Sequence, residues 1–312
     1  MTERSQLAIK LIATHIVLPV VLLIVCFFTN NDAFLTLTIA QTFLCILYLA
    51  GYWEFFEICF RIQFCGLIQV ALLIIFIFKM QYDFFFPSNL YIVIFLSLIQ
   101  LFLFYKLFNI FLVIFKKDSP SLEIEFPFRQ GDYLITDGGN SKISRLMNYH
   151  YYSPVHKRNK TNNSMTFAVD IVRIAHGGYQ FFLPDENGQY PVFGVNIYCP
   201  MAGEVIKVVN DIPDNEPYSG NYQYNTGNTV VIKNGTYFLI LGHLKMNSIV
   251  VNEGDNIKAN DLIGSAGNSG WTERPHLHMQ LINSLSKNYW NGTGVAIRFL
   301  DKNLYKNRLI EI

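Results

Sequence analysis

The sequence predicts a two-part chain, with an α-helical membrane domain of about four transmembrane helices over residues 1–117 and a mainly antiparallel β domain over residues 118–312. Three observations predict it. The 312 residues are 51% hydrophobic and only 15% charged, with a mean hydropathy of +0.26, too apolar for a chain solvated only by water. The apolar excess lies before Lys116, where long apolar runs follow one another. After Pro120 the pattern changes to short Val, Ile, Tyr and Phe runs separated by turn residues.

The four helices are expected at Leu7 to Phe28, Ala33 to Trp53, Phe60 to Phe78 and Phe84 to Phe104. Each run approaches the roughly 20 apolar residues that cross a hydrocarbon core. Leu107 to Phe115 is too short to cross alone and extends the fourth helix. No small-residue cleavage site follows the first run, which reads as a retained anchor. His15 lies inside the first helix, and Glu54, Glu57 and Arg61 recur at helical spacing near a helix junction. Ionisable groups at such depth are functional candidates, but junction charges reach the interface and a lone His bonds across a bundle, so a structural role is expected. A transporter would need more polar groups at mid-membrane.

Other function classes drop out on composition. Cys26, Cys45, Cys59 and Cys65 lie in or beside the membrane runs, which leaves Cys199 alone in the polar part. No disulfide framework or Cys-based zinc knuckle can be built there. A formal net charge of +1 gives no electrostatic case for nucleic acid.

In the polar part, strands are expected at Tyr133 to Thr136, Val205 to Val209, Thr229 to Lys233, Tyr237 to Leu241, Ile249 to Val251 and His276 to Ile282. Turn clusters such as Asn234-Gly235 and Gly267-Asn268-Ser269-Gly270 divide them, and the close spacing favours antiparallel pairing. The most informative run is Pro275-His276-Leu277-His278. Side chains at i and i+2 of a strand share a face, so both imidazoles converge on one point, and imidazole is a common zinc ligand. Upstream, Phe167-Ala168-Val169-Asp170-Ile171-Val172 carries one acid in an apolar strand. A carboxylate there is costly to bury unless it is paired or holds a metal, and period two places Asp170 with Ala168 and Val172 on an inward face.

Seven elements then occur in order: Asp170 in its Phe-Ala-Val-Asp-Ile setting, Gly203-Glu204-Val205, Gly227-Asn228-Thr229-Val230, Gly242-His243-Leu244, Glu253-Gly254-Asp255, Ile263 to Gly270, and Pro275 to His278. Together they resemble the peptidase M23 family, the lysostaphin or LytM type of zinc metallopeptidase. The resemblance covers roughly Gly131 to Ile312 and none of the membrane part. It implies a zinc ion held by an upstream His, by Asp170 and by His278, with His276 and His243 as catalytic histidines acting on a zinc-activated water and the oxyanion.

The upstream His departs from the lysostaphin pattern, in which it lies four residues before the Asp, because Thr166 stands there. The alternatives are His150, in Asn148-Tyr149-His150-Tyr151, and His156, in Pro154-Val155-His156-Lys157. His150 is preferred, since Asn-x-His after Gly138-Gly139 resembles divergent members with a long loop between His and Asp. His156, flanked by Lys157 and Arg158, reads as a solvated loop residue, and His176 as a turn residue. Leu241 stands where many members have a Tyr, removing one possible hydrogen-bond donor.

The resemblance implies a membrane-anchored zinc endopeptidase acting on peptidoglycan peptides, anchored in the bilayer of a bacterial inner membrane, with any protein activator unknown. The alternative is a catalytically silent module of the same type that binds a partner or wall peptide and regulates another hydrolase. Four spans put both termini on one side, where Arg4, Lys10, Arg61, Lys106, Lys116 and Lys117 gather against Lys79 on the other. The positive-inside rule would place the β domain in the cytoplasm, whereas peptidoglycan lies outside. Long domains are exported despite local charge, and an extracytoplasmic domain is expected.

Overall fold

The computed structural model describes residues 2–29, 32–56, 58–80, 89–152, 162–174, 183–220, 222–223, 226–286 and 288–312. Its first part holds four helices long and apolar enough to cross a membrane, over Glu3–Phe28, Ala33–Ala50, Phe60–Met80 and Leu90–Phe115. The first is interrupted by a π turn at Ala13–Val17. Pro19 follows, and because it has no N–H it cannot donate to the carbonyl four residues back, which favours the wider turn. The second helix ends at Ala50, not Trp53, and Trp53–Phe55 form a separate 3-10 turn. The fourth runs unbroken through Phe115, so Leu107 to Phe115 does extend it; its expected start at Phe84 lies outside the described residues.

The helices pack through Leu37, Ala40, Leu44, Leu47, Ile68, Leu72 and Ile75. Few polar groups lie between them, and those found are bonded: Gln100 Nε2 donates to Thr42 Oγ1 at 2.9 Å, and Lys79 Nζ to the Thr29 carbonyl. Such bonds satisfy groups that lipid cannot.

The second part is a sheet built from strands β1 (Ser121–Glu123), β2 (Asp132–Asp137), β3 (Val169–Arg173), β4 (Asn196–Tyr198), β5 (Gly203–Val209), β6 (Asn228–Asn234), β7 (Tyr237–Leu244), β8 (Asn256–Ile257), β9 (Leu262–Ser265), β10 (Leu277–Asn283), β11 (Thr293–Phe299), β12 (Lys302–Asn303) and β13 (Leu309–Glu311). The main sheet runs β13-β2-β3-β10-β7-β6-β5-β8, and each neighbouring pair in it is antiparallel. β11 joins the far half of β10 and also pairs with β1 in parallel. β4 and β9 form a separate two-stranded sheet. Ile249 to Val251 forms no strand: Val250 N–H donates to the Ile263 carbonyl, and Ile249 is held by both its N–H and its carbonyl to the Asn210 side chain.

Alternation sorts the two faces of the central strands. Ile135, Val169, Ile171, Leu239, Leu241, Leu277, Met279 and Leu281 point into the main apolar core. Asp170, His278 and Gln280 project from the opposite face, which other segments also bury. The inward face expected for Asp170 is therefore the floor of a cleft and not the hydrophobic core.

The helices touch the sheet part directly. Leu7, Ala8 and Leu11 pack on Leu183, Tyr190 and Tyr218, while Ala50, Ile110 and Val113 pack on Met147. Arg4 pairs with Asp185 at 2.8 Å, and Asn307 Nδ2 donates to the Leu49 and Gly51 carbonyls at 3.0 and 2.9 Å. The chain ends therefore lie at one end of the helices, with Thr29 and Lys79 at the other. Leu239→Ala, at a fully buried core position, should destabilise the sheet by about 2–5 kcal/mol through lost contacts and a residual cavity. Thermal unfolding of the full chain in detergent checks this, and an unchanged melting temperature would place Leu239 outside the core.

Candidate metal centre

Three neighbouring strands aim the site. In the register, His278 on β10 lies opposite Asp170 on β3 and, on its other side, opposite Gly242 on β7. Gly242 leaves room: a Cβ there would lie 3.7 Å from the His278 Cβ and 3.2 Å from the Thr226 carbonyl oxygen. The next residue, His243, turns its ring into the same space from a left-handed backbone with φ of +59°. That region is strained for a residue with a side chain, at a cost on the order of 1–3 kcal/mol, and such strain gathers at functional sites.

His150 arrives from a 3-10 turn, His150–Tyr152, held by Asn148. Asn148 is fully buried; its Nδ2 donates to the Gly139 and Ala168 carbonyls at 2.7 and 2.9 Å, and its Oδ1 accepts from His150 Nδ1 at 2.7 Å. Gly139 has φ of +84° and abuts Val113 of the fourth helix, so the Gly138-Gly139 element positions Asn148, which in turn orients His150.

One donor atom each from His150, Asp170 and His278 lies within 4.8 Å of the other two, and all three residues are buried. His150 Nε2 is 3.3 Å from Asp170 Oδ2, and His278 Nδ1 is 2.9 Å from Asp170 Oδ1. The outer ring nitrogens are already engaged. His150 Nδ1–H goes to Asn148, and His278 Nε2–H to Gln280 Oε1 at 3.1 Å. What remains is two imidazole lone pairs and a carboxylate facing one another, an arrangement of acceptors that fits a shared cation. The 3.3 Å separation is close to the roughly 3.4 Å expected between two ligands about 2.1 Å from a tetrahedral ion. Outer hydrogen bonds of this kind fix tautomer and ring orientation in metal sites.

His276 and His243 complete the wall. His276 Nε2 stands 3.6 Å from Asp170 Oδ1, while its Nδ1–H donates to the Arg274 carbonyl at 2.9 Å. His243 Nδ1–H donates to the Ser269 carbonyl at 2.8 Å, and its ring centroid lies 4.8 Å from that of His276. Both therefore present Nε2 to the cleft. Burial pushes the His276 imidazole down to about 4, with the nearby Arg274 charge adding to it against Asp170. Burial, joined by the His276 and His278 rings, holds His243 well below the ordinary value. Burial alone would raise Asp170, but the surrounding His150 and His276 rings, and the contacts of His150 and His278 with its oxygens, outweigh it and hold the carboxyl well below the usual range. An ionised Asp170 is the form that binds metal.

Residues 187–293 match the family described as Peptidase family M23. That stretch of the C-terminal part is what the chain shares with the family. The M23 match contains His243, His276 and His278 and leaves His150 and Asp170 upstream of it. The matching region is similar to the peptidoglycan DD-endopeptidase ShyA of Vibrio cholerae, 31% identical over 107 residues, which is 34% of this chain and 20% of that protein. It is also similar to an uncharacterized metalloprotease of Buchnera aphidicola, 30% identical over 101 residues, 32% of this chain and 25% of that one. The chain thus spans about a fifth to a quarter of the length of these curated relatives. Among solved structures, the lysostaphin catalytic domain of Staphylococcus simulans is 19% identical, with 47% of this chain and 86% of that one covered at a TM-score of 0.30.

His156 and His176 lie outside the described residues. One contributor has a partner that the sequence does not name. Glu54, from the 3-10 turn after the second helix, pairs with Arg274 at 2.8 Å, and the Arg274 carbonyl is the one that orients His276. The Glu54 side chain is 1% exposed, and its Oε2 has no hydrogen-bond partner. The acidic residue near the helix junction thus turns inward onto Arg274 of the sheet part and not toward the interface. Its only sequence signal is a charge in an apolar setting. Glu54→Ala should leave the partly buried Arg274 without this carboxylate, at a cost below the roughly 3–5 kcal/mol of breaking a fully buried pair, whereas Glu54→Ala with Arg274→Met should regain most of the stability. Thermal melts of the three proteins decide this, and a single variant as stable as wild type would show that the pair contributes nothing.

Proposed function

We propose that the chain is a multi-pass membrane zinc endopeptidase that hydrolyses peptide bonds in peptidoglycan. The observation that carries the reading is the convergence of His150, Asp170 and His278 beneath two further imidazoles with free Nε2 atoms. His150, Asp170 and His278 would hold the ion. Zinc in such a setting polarises a carbonyl and lowers the pKa of water toward 7.

The chain's own part follows from its hydrogen bonds. The Ser269 and Arg274 carbonyls hold the Nδ1 protons of His243 and His276, so each Nε2 is an acceptor at neutral pH. One of them takes the proton that the attacking water loses and passes it to the leaving amine. The other, once protonated or through a bound water, donates to the oxyanion of the tetrahedral intermediate. Glu54 keeps Arg274, and so the His276 ring, in place.

An extracytoplasmic β domain follows from a peptidoglycan substrate, although the basic residues gather at the domain end of the helices. Several of those cations have partners within the protein, which weakens their bearing on topology. Arg4 pairs with Asp185, Arg61 donates to the Tyr48 carbonyl, and Lys10 lies over the Tyr52 ring.

Asp170→Ala and His278→Ala should each lose zinc, measured by elemental analysis of the purified chain, while the sheet stays folded on its own core; wild-type zinc content in both would remove the assignment. His150→Ala should lose zinc and His156→Ala should keep it, and the reverse result would transfer the ligand role to His156. His243→Ala and His276→Ala should keep zinc but lose turnover on purified wall material by about 100-fold or more. If either cleaves at the wild-type rate, that histidine is structural. A zinc-loaded wild type that cuts no wall peptide would favour the silent regulatory module instead.

A further inference from the structure

The site does not end at the sheet. One continuous cavity of about 1430 Å³ contains Asp170, His243, His276 and His278 and is also lined by Thr14, Leu18, Phe43 and Leu47 of the first two helices. That is more space than the 300–1,000 Å³ usual for a small-molecule pocket. Phe43 lies seven residues before the end of its helix at Ala50, so the wall runs about 10 Å along the helix from the domain end. This is about a third of a hydrocarbon core of roughly 30 Å. His15 of the π turn also lines the cavity, and its Nε2 accepts the Tyr52 N–H at 2.9 Å, which ties the first helix to the turn after the second. Leu18 is 37% exposed on a helix long and apolar enough to lie in a membrane, so this half of the cavity is walled by membrane-length helices.

A cavity with a peptide-cutting site at one end and an apolar slot walled by membrane-length helices at the other fits an amphiphile. We propose that the substrate is a peptide carried on a membrane-embedded lipid chain, with the chain lodged between Leu18, Phe43 and Leu47 and the peptide lying across Asp170 and His278. This rests on the hydrolase reading and narrows its substrate from wall peptides in general to lipid-linked ones. The continuity of the slot with the metal centre favours a chain covalently attached to the substrate over an unrelated lipid, which would have no reason to share the reacting space. It also gives the helices a role beyond tethering, since they form one wall of the binding site.

The test uses the full chain in vesicles of phosphatidylethanolamine and phosphatidylglycerol. The probes are fluorescent peptidoglycan-derived peptides, free or with an N-terminal palmitoyl chain. Wild type should cleave the palmitoylated form with a kcat/KM at least tenfold higher than the free form. Leu18→Trp and Phe43→Trp, on different helices and both filling the slot, should bring that ratio down at least fivefold, with zinc content and melting temperature reported for each. Leu98→Trp, on the exposed face of the fourth helix, should keep the ratio. Because membrane partitioning of the probe is common to all four proteins, a ratio equal in wild type and both slot variants overturns the proposal and leaves the hydrolase reading standing. If no protein cleaves either probe, binding of the palmitoylated peptide decides: weaker binding in both slot variants than in wild type supports the amphiphile site while the hydrolase reading falls, and equal binding ends both. Competition by a single-span transmembrane peptide, but not by palmitoylated peptide, would overturn the proposal in favour of a protein substrate.

Discussion

The Asp170 carboxylate is the constraint on which the rest of the site depends. It is 5% exposed and sits within 3.6 Å of three imidazoles, so it is stable in the buried cleft only while they or a cation compensate its charge. That requirement fixes register. A one-residue slip of β3 against β10 would turn Asp170 into the apolar core and expose Ile171 to the cleft. The two sheet faces, one apolar and one acidic and imidazole-rich, are thus specified together. The outer bonds from Asn148 and Gln280 then leave each ligand only one nitrogen to offer.

The same cleft ties the two parts of the chain together. Glu54 and Arg274 come from segments 220 residues apart and meet in a buried ion pair whose geometry bears on His276. Lys306 lies 3.9 Å from the Tyr52 ring centroid and 3.8 Å from Asp137 Oδ1, a second ionic link at this junction. Asn307 caps the carbonyls that the second helix leaves unpaired at its end. The polar groups at the helix ends are therefore satisfied by the sheet domain as well as by solvent.

Much of the site was legible because its geometry is local. His276 and His278 share a face through strand periodicity, and Asp170 stood out as an acid in an apolar run. Five of the six expected strands hold their positions in the sheet for the same reason, since period two and turn residues are short-range signals. His150 was preferred by likeness to divergent relatives, and what positions it, a buried Asn148 bonded to two distant carbonyls, has no sequence period. Glu54 was read as an interface charge because nothing near it names Arg274. β8 and β12 span two residues each, too short for any pattern, and β1 pairs in parallel with a strand far along the chain. Ile249 to Val251 has strand composition but meets β9 by one backbone bond, at Ile263, and spends its Ile249 groups on the Asn210 side chain, so no ladder forms.

The backbone at residue 243 ties a chemical role to a conformational one. Its left-handed φ is tolerated best by glycine and, among residues with side chains, by asparagine or aspartate. Histidine is also found there more often than most residues, at a smaller conformational penalty than a branched side chain would bear, and here it places an imidazole in the cleft. In a lineage that no longer used this imidazole, substitution to Gly or Asn would relieve the strain and be favoured by stability alone. Gly or Asn at this turn would therefore mark a cleft in which the imidazole no longer acts.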